Sequence, residues 1–368
     1  INYQLAQNED KTAIFENCCD LCPVCYHLGN DQLSFRSFFH WTVYRPNRII
    51  IRNTHYTGNA IHVIDAKHQP WNRVFRKLLI NSPGDIDAYL VVTPLYLIEI
   101  LPQIVHYFFS SVLSGIEDEA EKGGYRVIIC QSNENYEKEV KGAQALLEAR
   151  VCGVLASVAK TTTIYNHFQE LIDSDIPMVF FDRICTGILT DRVVVDDYAG
   201  VCSAVEYLIR SGCRRIAFFG SPSHLAISNN RRMGYEDALR KNGLPVDKEL
   251  IKICDNYTEA LRLTPELLSL PNRPDAFFAV NDETAIGVLN VVKAKGLRIP
   301  DEVSICGFTN NSLAEVSDPL LTSVDQHGYE LGAIAMRLLI ERLNGVRDGD
   351  RIVSKIIKTN LVVRQSTR

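Results

Sequence analysis

A chain of 368 residues is long enough for two or three folded units, and its composition (46% hydrophobic, 23% charged) excludes a chain that is disordered throughout. The net charge of −5 excludes a basic surface over the whole chain, although a small basic module would be hidden in that sum. The sequence has no run of about 18 uninterrupted apolar residues, which argues against a membrane-spanning helix.

The sequence also indicates where the protein resides. The first thirty residues carry acidic and basic side chains where a secretory signal needs an apolar run, so we expect a cytoplasmic protein. Seven cysteines are scattered singly, which is typical of reduced, buried thiols rather than disulfides. They are Cys130, Cys152, Cys185, Cys202, Cys213, Cys254 and Cys306.

Residues 1–96 show little sustained helical or strand periodicity, and the sequence leaves their fold unassigned. One interpretation is a zinc site, which lacks a second, distant ligand pair. Its ligands would be Cys18, Cys19, Cys22, Cys25 and His27. Another is nucleic-acid contact by interleaved arginines and aromatics. These are Arg36, Arg45, Arg48 and Arg52 with Phe38, Phe39, Trp41 and Tyr44. A third is that the segment is not a native domain, or is disordered.

From residue 97 onward, strands and helices alternate regularly. The predicted strands are apolar runs at 96–101, 127–130, 153–156, 178–181, 193–195, 216–219, 276–280, near 305 and at 356–362. The predicted helices have apolar residues at helical spacing around 109–120, 140–147, 164–172, 205–208, 235–239, 286–292 and 331–343. Such alternation is typical of parallel sheets covered on both faces.

We therefore predict an α/β fold with two doubly wound parallel-sheet lobes and a cleft between them, beyond the carboxyl ends of the strands. Lobe 1 is expected to comprise about residues 97–190 and 326–348. Lobe 2 is expected to comprise about residues 191–322 and 350–368. The chain would then cross between the lobes three times, near residues 190, 320 and 350.

Seven short motifs follow one another through residues 97–368. They lie at 102–117, 176–183 (IPMVFFDR), 195–200, 231–239 (RRMGYEDAL), 274–282, 299–308 and 321–326. In this order they resemble the effector-sensing domain of LacI/GalR-type bacterial transcription regulators. The resemblance implies a periplasmic-binding-protein-like type I fold, a small polar effector (sugar-like or nucleobase-like), a homodimer, and operator binding by the intact regulator.

Seven residues are candidates for contact with that effector. They are Phe108, Phe109, Asp182, Arg231, Tyr257, Asp282 and Thr309. Aromatic rings can stack on an apolar ligand face, a carboxylate can accept hydrogen bonds from hydroxyl groups, and arginine offers five donors in a plane. The resemblance implies that Tyr257 closes the cleft from lobe 2.

Structural alternatives stand beside four of these roles. Phe109 also lies on the core face of its predicted helix, and aspartates such as Asp182 are common at strand ends for turn reasons alone. For Arg231 the alternative role is a surface salt bridge, and for Asp282 it is capping of a helix.

Two departures from the family pattern matter. Thr309 stands where the family usually has an effector-binding aspartate, which puts the effector chemistry in doubt. No helix-turn-helix pattern is recognisable in residues 1–96, although 44–47 (YRPN) matches the tetrapeptide that usually closes the DNA-binding module. We therefore expect no specific operator binding from the chain as it stands.

Two other functional classes fit the sequence less well. A solute-binding protein of a transport system has the same two lobes, but it requires a secretory signal. An enzyme is disfavoured because G-x-G-x-x-G, G-x-x-x-x-G-K-[ST] and G-x-S-x-G are all missing from the sequence. We expect no catalysis, no cofactor and no metal ion.

Overall fold

A computed structural model of the protein describes residues 39–43, 49–53, 78–80, 86–90, 96–103, 107–149, 151–346 and 351–368. The strands in chain order are β1 (Phe39–Val43), β2 (Ile49–Asn53), β3 (Leu78–Ile80), β4 (Ile86–Leu90), β5 (Tyr96–Leu101), β6 (Arg126–Gln131), β7 (Gly153–Ala156), β8 (Met178–Phe181), β9 (Asp191–Val195), β10 (Ile216–Gly220), β11 (Ile251–Ile253), β12 (Ala276–Ala279), β13 (Ser304–Thr309), β14 (Thr322–Asp325), β15 (Ser354–Ile357) and β16 (Asn360–Val362). The helices are α1 (Tyr107–Lys122), α2 (Tyr136–Ala149), α3 (Asn166–Asp173), α4 (Asp197–Arg210), α5 (Ala226–Lys241), α6 (Tyr257–Leu268), α7 (Asp282–Ala294), α8 (Ser312–Val316) and α9 (Gly328–Leu343), with a short 3₁₀ helix at Lys248–Leu250.

Strands β1 to β4 form an antiparallel sheet in the order β1-β2-β4-β3, and they belong to a unit of their own. The periodicity of residues 1–96 does not predict this sheet. The candidate zinc ligands Cys18, Cys19, Cys22, Cys25 and His27 lie outside the described residues. So do Arg36, Phe38, Tyr44, Arg45 and Arg48, whereas Phe39 and Trp41 lie on β1 and Arg52 lies on β2.

Strands β5 to β16 form two six-stranded sheets, one in each lobe. The sheet of lobe 1 has the order β15-β9-β8-β7-β5-β6, and all its neighbours are parallel. The sheet of lobe 2 has the order β11-β10-β12-β13-β14-β16, with β16 alone antiparallel to its neighbour. The predicted fold class is confirmed. Within the described ranges, no helix has both the length and the apolar composition needed to cross a bilayer.

The central strands are apolar throughout because helices cover both faces of each sheet. In β8, Val179 and Phe181 pack with α1 and α9, whereas Met178 and Phe180 pack with α2 and α3. Alternate residues of β10 and β12 divide in the same way between the α6–α7 face and the α4–α5 face of lobe 2. Each lobe therefore has a two-sided core, and β7, β8, β10 and β12 carry no polar side chain.

The chain crosses between the lobes three times, as predicted, but each crossing lies a few residues later than expected. The crossings follow β9, β14 and β15. The expected boundary at residue 190 is wrong, because β9 pairs with β8 and β15 in lobe 1. The strand predicted at 356–362 is in fact two strands, β15 in lobe 1 and β16 in lobe 2. Periodicity identifies a strand but not the sheet in which it pairs.

Helices α1 and α9 cross in backbone contact beneath the sheet of lobe 1. A Cβ on Gly115 would lie 2.1 Å from the Tyr329 carbonyl oxygen, and one on Gly332 would lie 2.0 Å from the Val112 carbonyl oxygen. Only glycine permits this approach at either position. The core of lobe 1 is therefore completed by a helix that follows the whole of β10 to β14 in the chain.

Candidate functional site

The polar residues that follow the strands lie at the carboxyl ends of the two sheets, where ligands bind in doubly wound folds. In lobe 1, Asp182 directly follows β8; in lobe 2, Thr309 is the last residue of β13. The guanidinium of Arg231, on α5 of lobe 2, acts electrostatically on Asp182 and lowers its pKa. Lys160, which follows β7, lies 3.0 Å from Asp255, which follows β11, so the two sets of strand ends face one another across a cleft between the lobes.

Asp182 is held in an unusual backbone conformation at the edge of this cleft. Its φ is +55°, in the left-handed region, and its amide donates to the carbonyl of Val193 at 3.0 Å. The carboxylate is buried, and its nearest charged neighbour is the Nε of Arg183, 3.9 Å from Oδ2. Burial raises the pKa of Asp182 to about 6, against the opposing effect of Arg183 and Arg231. This carboxylate has no hydrogen-bond donor among the described side chains.

The side chain of Arg231 is buried, so the salt bridge that it forms is not the surface one given as an alternative above. Its Nε donates to Asp197 Oδ1 at 2.7 Å, and its Nη1 donates to the carbonyl of Val280 at 2.8 Å. The guanidinium lies 4.1 Å from the ring centroid of Phe308. Burial raises the pKa of Asp197, and Arg231 opposes that rise. Arg231 is therefore part of the framework of lobe 2 as well as a neighbour of Asp182.

Arg183 is a cleft residue to which the sequence analysis gave no role. Its Nη1 donates to both carboxylate oxygens of Glu134 at 2.8 Å, and its guanidinium lies 5.6 Å from the ring centroid of Phe109. Phe109 is buried in the lobe 1 core, and the partly buried Phe108 meets it edge-on with ring centroids 5.3 Å apart. Phe109 thus packs against the guanidinium of Arg183, whereas the ring of Phe108 remains partly exposed.

Tyr257 lies just beyond the carboxyl end of β11. It is the first residue of α6, and its hydroxyl accepts a hydrogen bond from Asn290 Nδ2 at 3.0 Å. Asn290 lies more than two turns into α7, away from the strand ends. The hydroxyl therefore links α6 to α7, and the expectation that Tyr257 closes the cleft stays a prediction. The expected role rested on an approximate correspondence, and α6 itself was not predicted.

Asp282 is completely buried, and both of its carboxylate oxygens are engaged within lobe 2. Oδ1 accepts from the hydroxyl of Ser323 at 2.5 Å, and Oδ2 accepts from the amide of Asn311 at 2.8 Å. Burial raises its pKa to about 7 despite these two hydrogen bonds. Because its side chain is completely buried, Asp282 does not reach the surface of the cleft, contrary to expectation. Thr309, at the cleft edge, donates its hydroxyl to Gln326 Oε1 at 2.9 Å.

Lys160 links the two lobes across the cleft. Its Nζ lies 3.0 Å from Asp255 Oδ2 in lobe 2, and its carbonyl accepts a hydrogen bond from the ring of His224. Two hydrogen bonds anchor the backbone around Lys160. Its amide donates to Glu134 and the amide of the preceding residue donates to Glu139, each at 2.7 Å. These contacts join lobe 1 to lobe 2 in addition to the three crossing segments, and they favour a closed arrangement.

The chain has relatives of known class. Residues 205–367 match the family described as periplasmic binding protein-like domain. Catabolite control protein A of Priestia megaterium is 32% identical over 271 residues, which cover 73% of this chain and 80% of that protein. The HTH-type transcriptional repressor CytR of Escherichia coli (strain K12) is 32% identical over 273 residues, covering 73% and 78%. The chain belongs to the LacI/GalR family of transcriptional regulators.

A solved structure of a LacI/GalR protein agrees with this assignment. It is a periplasmic binding protein/LacI transcriptional regulator from Alkaliphilus metalliredigens QYMF complexed with D-xylulofuranose. It is 28% identical, covers 74% of this chain and 99% of its own, and has a TM-score of 0.65. In the part of the chain that the structure describes, no three His, Cys, Asp or Glu side chains are grouped to hold a metal ion.

Replacing Arg231 by alanine is expected to destabilise lobe 2 by about 3–5 kcal/mol, because it leaves the buried Asp197 carboxylate without its charged partner. The neighbouring Arg232 is a matched control, since its side chain is half-exposed and pairs only with Glu236 one helical turn away. Arg232→Ala should cost about 0.5 kcal/mol or less. Urea unfolding followed by circular dichroism measures both. Equal, small losses for the two variants would contradict the framework role of Arg231.

Replacing Asp182 by asparagine is expected to stabilise the protein increasingly as pH rises. Because the folded-state pKa is raised from 3.8 to about 6, the wild type loses stability as pH rises through that interval. Asparagine removes the charge and tolerates positive φ, so the gain should be about 1–3 kcal/mol at pH 8 and about half as much at pH 5. Exposed Asp175, with φ +59°, gives the control Asp175→Asn. Urea unfolding at both pH values tests this, and a pH-independent difference between the two variants would refute it.

Proposed function

We propose that the protein is a transcriptional regulator that binds a small polar effector in the cleft between its lobes and catalyses no reaction. The observation that carries this proposal is the buried Asp182 carboxylate of lobe 1, which accepts no hydrogen bond from a described side chain and whose pKa is lowered by the charge of Arg231 in lobe 2. A ligand held between them would contact both lobes and stabilise one relative arrangement of the two.

The effector that best fits this chemistry is a sugar or a sugar derivative. Hydroxyl groups donate to carboxylates such as that of Asp182, and the apolar face of a sugar ring packs on an aromatic side chain such as Phe108. The relative from Alkaliphilus metalliredigens QYMF, complexed with D-xylulofuranose, supports this class. A nucleobase is the second candidate, and a thermal-shift screen against both classes of compound separates the two.

A transport-associated solute-binding protein is less well supported. The fold is common to both classes, so the lobes alone do not distinguish them. The curated relatives are named as a control protein and a repressor, which supports the regulator. For an intact regulator of this family we propose operator DNA as the macromolecular partner.

The effector is expected to raise the melting temperature, because a ligand that binds only the folded state stabilises it by about 2.7 kcal/mol at a hundredfold excess over Kd. A thermal-shift screen against sugars, sugar phosphates and nucleobases identifies the compound. Titration calorimetry should then show that Asp182→Asn weakens binding by about 1.5–3 kcal/mol, the range for a hydrogen bond to a charged group. Asp175→Asn should leave the affinity unchanged. A screen without any stabilising compound, or equal affinities for the two variants, would argue against the proposal.

We further propose that the protein acts as a homodimer, because a two-fold symmetric operator requires a two-fold symmetric reader. Light scattering of the full chain at about 20 micromolar should give twice the monomer mass, which corresponds to a Kd below that concentration. A mass of 41.5 kDa at this concentration, with or without the effector, would contradict the dimer.

A further inference from the structure

The turn that follows β13 is held in a conformation that its residues do not favour on their own. Thr309 has a φ of +121° and Asn310 a φ of +56°, although neither is glycine. Such residues persist in the left-handed region only where their surroundings fix them. The turn comprises residues 309–311, and it lies at the edge of the cleft.

The carboxylate of Asp282 is the group that fixes this turn. It accepts a hydrogen bond from the amide of Asn311 at 2.8 Å and one from the hydroxyl of Ser323 at 2.5 Å. The same Ser323 oxygen accepts from the amide of Asn310 at 3.0 Å. A Cβ at Gly307 would lie 2.2 Å from Asp282 Oδ1, so the sequence leaves the carboxylate just enough room. Asp282 therefore satisfies, directly or through Ser323, two successive amides of the turn.

Independently of Asp282, the turn also forms hydrogen bonds with the second crossing segment, residues 325–327. Thr309 donates its hydroxyl to Gln326 Oε1 at 2.9 Å, and Asn310 Nδ2 donates to Asp325 Oδ2 at 3.0 Å. The other oxygen of Asp325 accepts from the amide of His327 at 2.8 Å. His327, with φ +52°, immediately precedes α9, the helix that completes the core of lobe 1.

Two simpler roles for Asp282 do not account for these contacts. Capping of α7 is performed by Asn281, whose side chain accepts from the amide of Thr284 at 2.8 Å. Direct contact with an effector is excluded by complete burial and by the two hydrogen bonds already made. The carboxylate instead joins β12, β13 and β14 at their carboxyl ends.

We propose that Asp282 is a positioning residue, which holds the 309–311 turn and the 325–327 crossing segment together as one unit. An effector that displaces the turn then displaces the start of α9 in lobe 1, so one carboxylate couples the cleft to the arrangement of the lobes. The coupling to an effector rests on the proposed function, whereas the mechanical unit exists without any ligand.

Hydrogen exchange measured by mass spectrometry on the effector-free full chain tests the unit. In Asp282→Ala, amides in peptides covering 309–313 and 325–331 should exchange at least about tenfold faster, because their local opening no longer breaks the Asp282 bonds. The control is Asp275→Ala, which also removes a carboxylate that accepts two backbone amides of lobe 2, from Arg214 and Arg215. Asp275 precedes β12, at the opposite edge of the sheet, so this control should leave both peptides unchanged.

Ser323→Ala provides a second, milder test, which decides the matter alone if Asp282→Ala does not fold. It removes the link between Asp282 and the amide of Asn310 but keeps the bond to Asn311. Faster exchange in both peptides supports the proposal. Faster exchange spread evenly through lobe 2, or confined to 309–313, overturns it. Because no effector is used, failure here is distinct from failure of the effector screen.

Discussion

Parallel strands covered by helices on both faces carry mostly apolar side chains, and this constraint determines where charged groups can gather. The residues of β7, β8, β10 and β12 are buried throughout. Charged groups therefore collect just beyond the carboxyl ends, where the chain leaves the sheet. Two sheets joined by three crossings bring two such edges together, and the cleft is the outcome of that packing.

Within the cleft, most of the buried charge is neutralised by partners in the same lobe. Arg183 is paired with Glu134, and Arg231 is paired with Asp197. An isolated buried charge is costly, so each arginine brings its own carboxylate. Asp182 is the exception, since it sits between the two arginines without a hydrogen bond to either. The arginines of this framework are thus satisfied within each lobe, and under the proposed function the Asp182 carboxylate is the acceptor that a hydroxyl-bearing effector would engage.

Local sequence patterns predicted the elements well and their long-range partners poorly. The apolar runs at 153–156 and 178–181 coincide with β7 and β8, because a buried strand has a clear signature. Three-residue β11 escaped notice, since Ile253 is exposed at the sheet edge and no alternation is visible over so short a segment. Asp182 and Arg231 were identified from motifs. Their environments depended on Asp197, Arg183 and Glu134, whose proximity arises only from the tertiary fold.

The order in which lobe 1 is assembled has a consequence for synthesis on the ribosome. Strands β5 to β9 are complete at residue 195, but α9 and β15, which cover and extend their sheet, begin only at residues 328 and 354. While all of β10 to β14 is being translated, the face of α1 around Gly115 has no helix against it. The emerging chain therefore carries an uncovered apolar surface through much of its elongation, a condition that favours aggregation of incomplete chains.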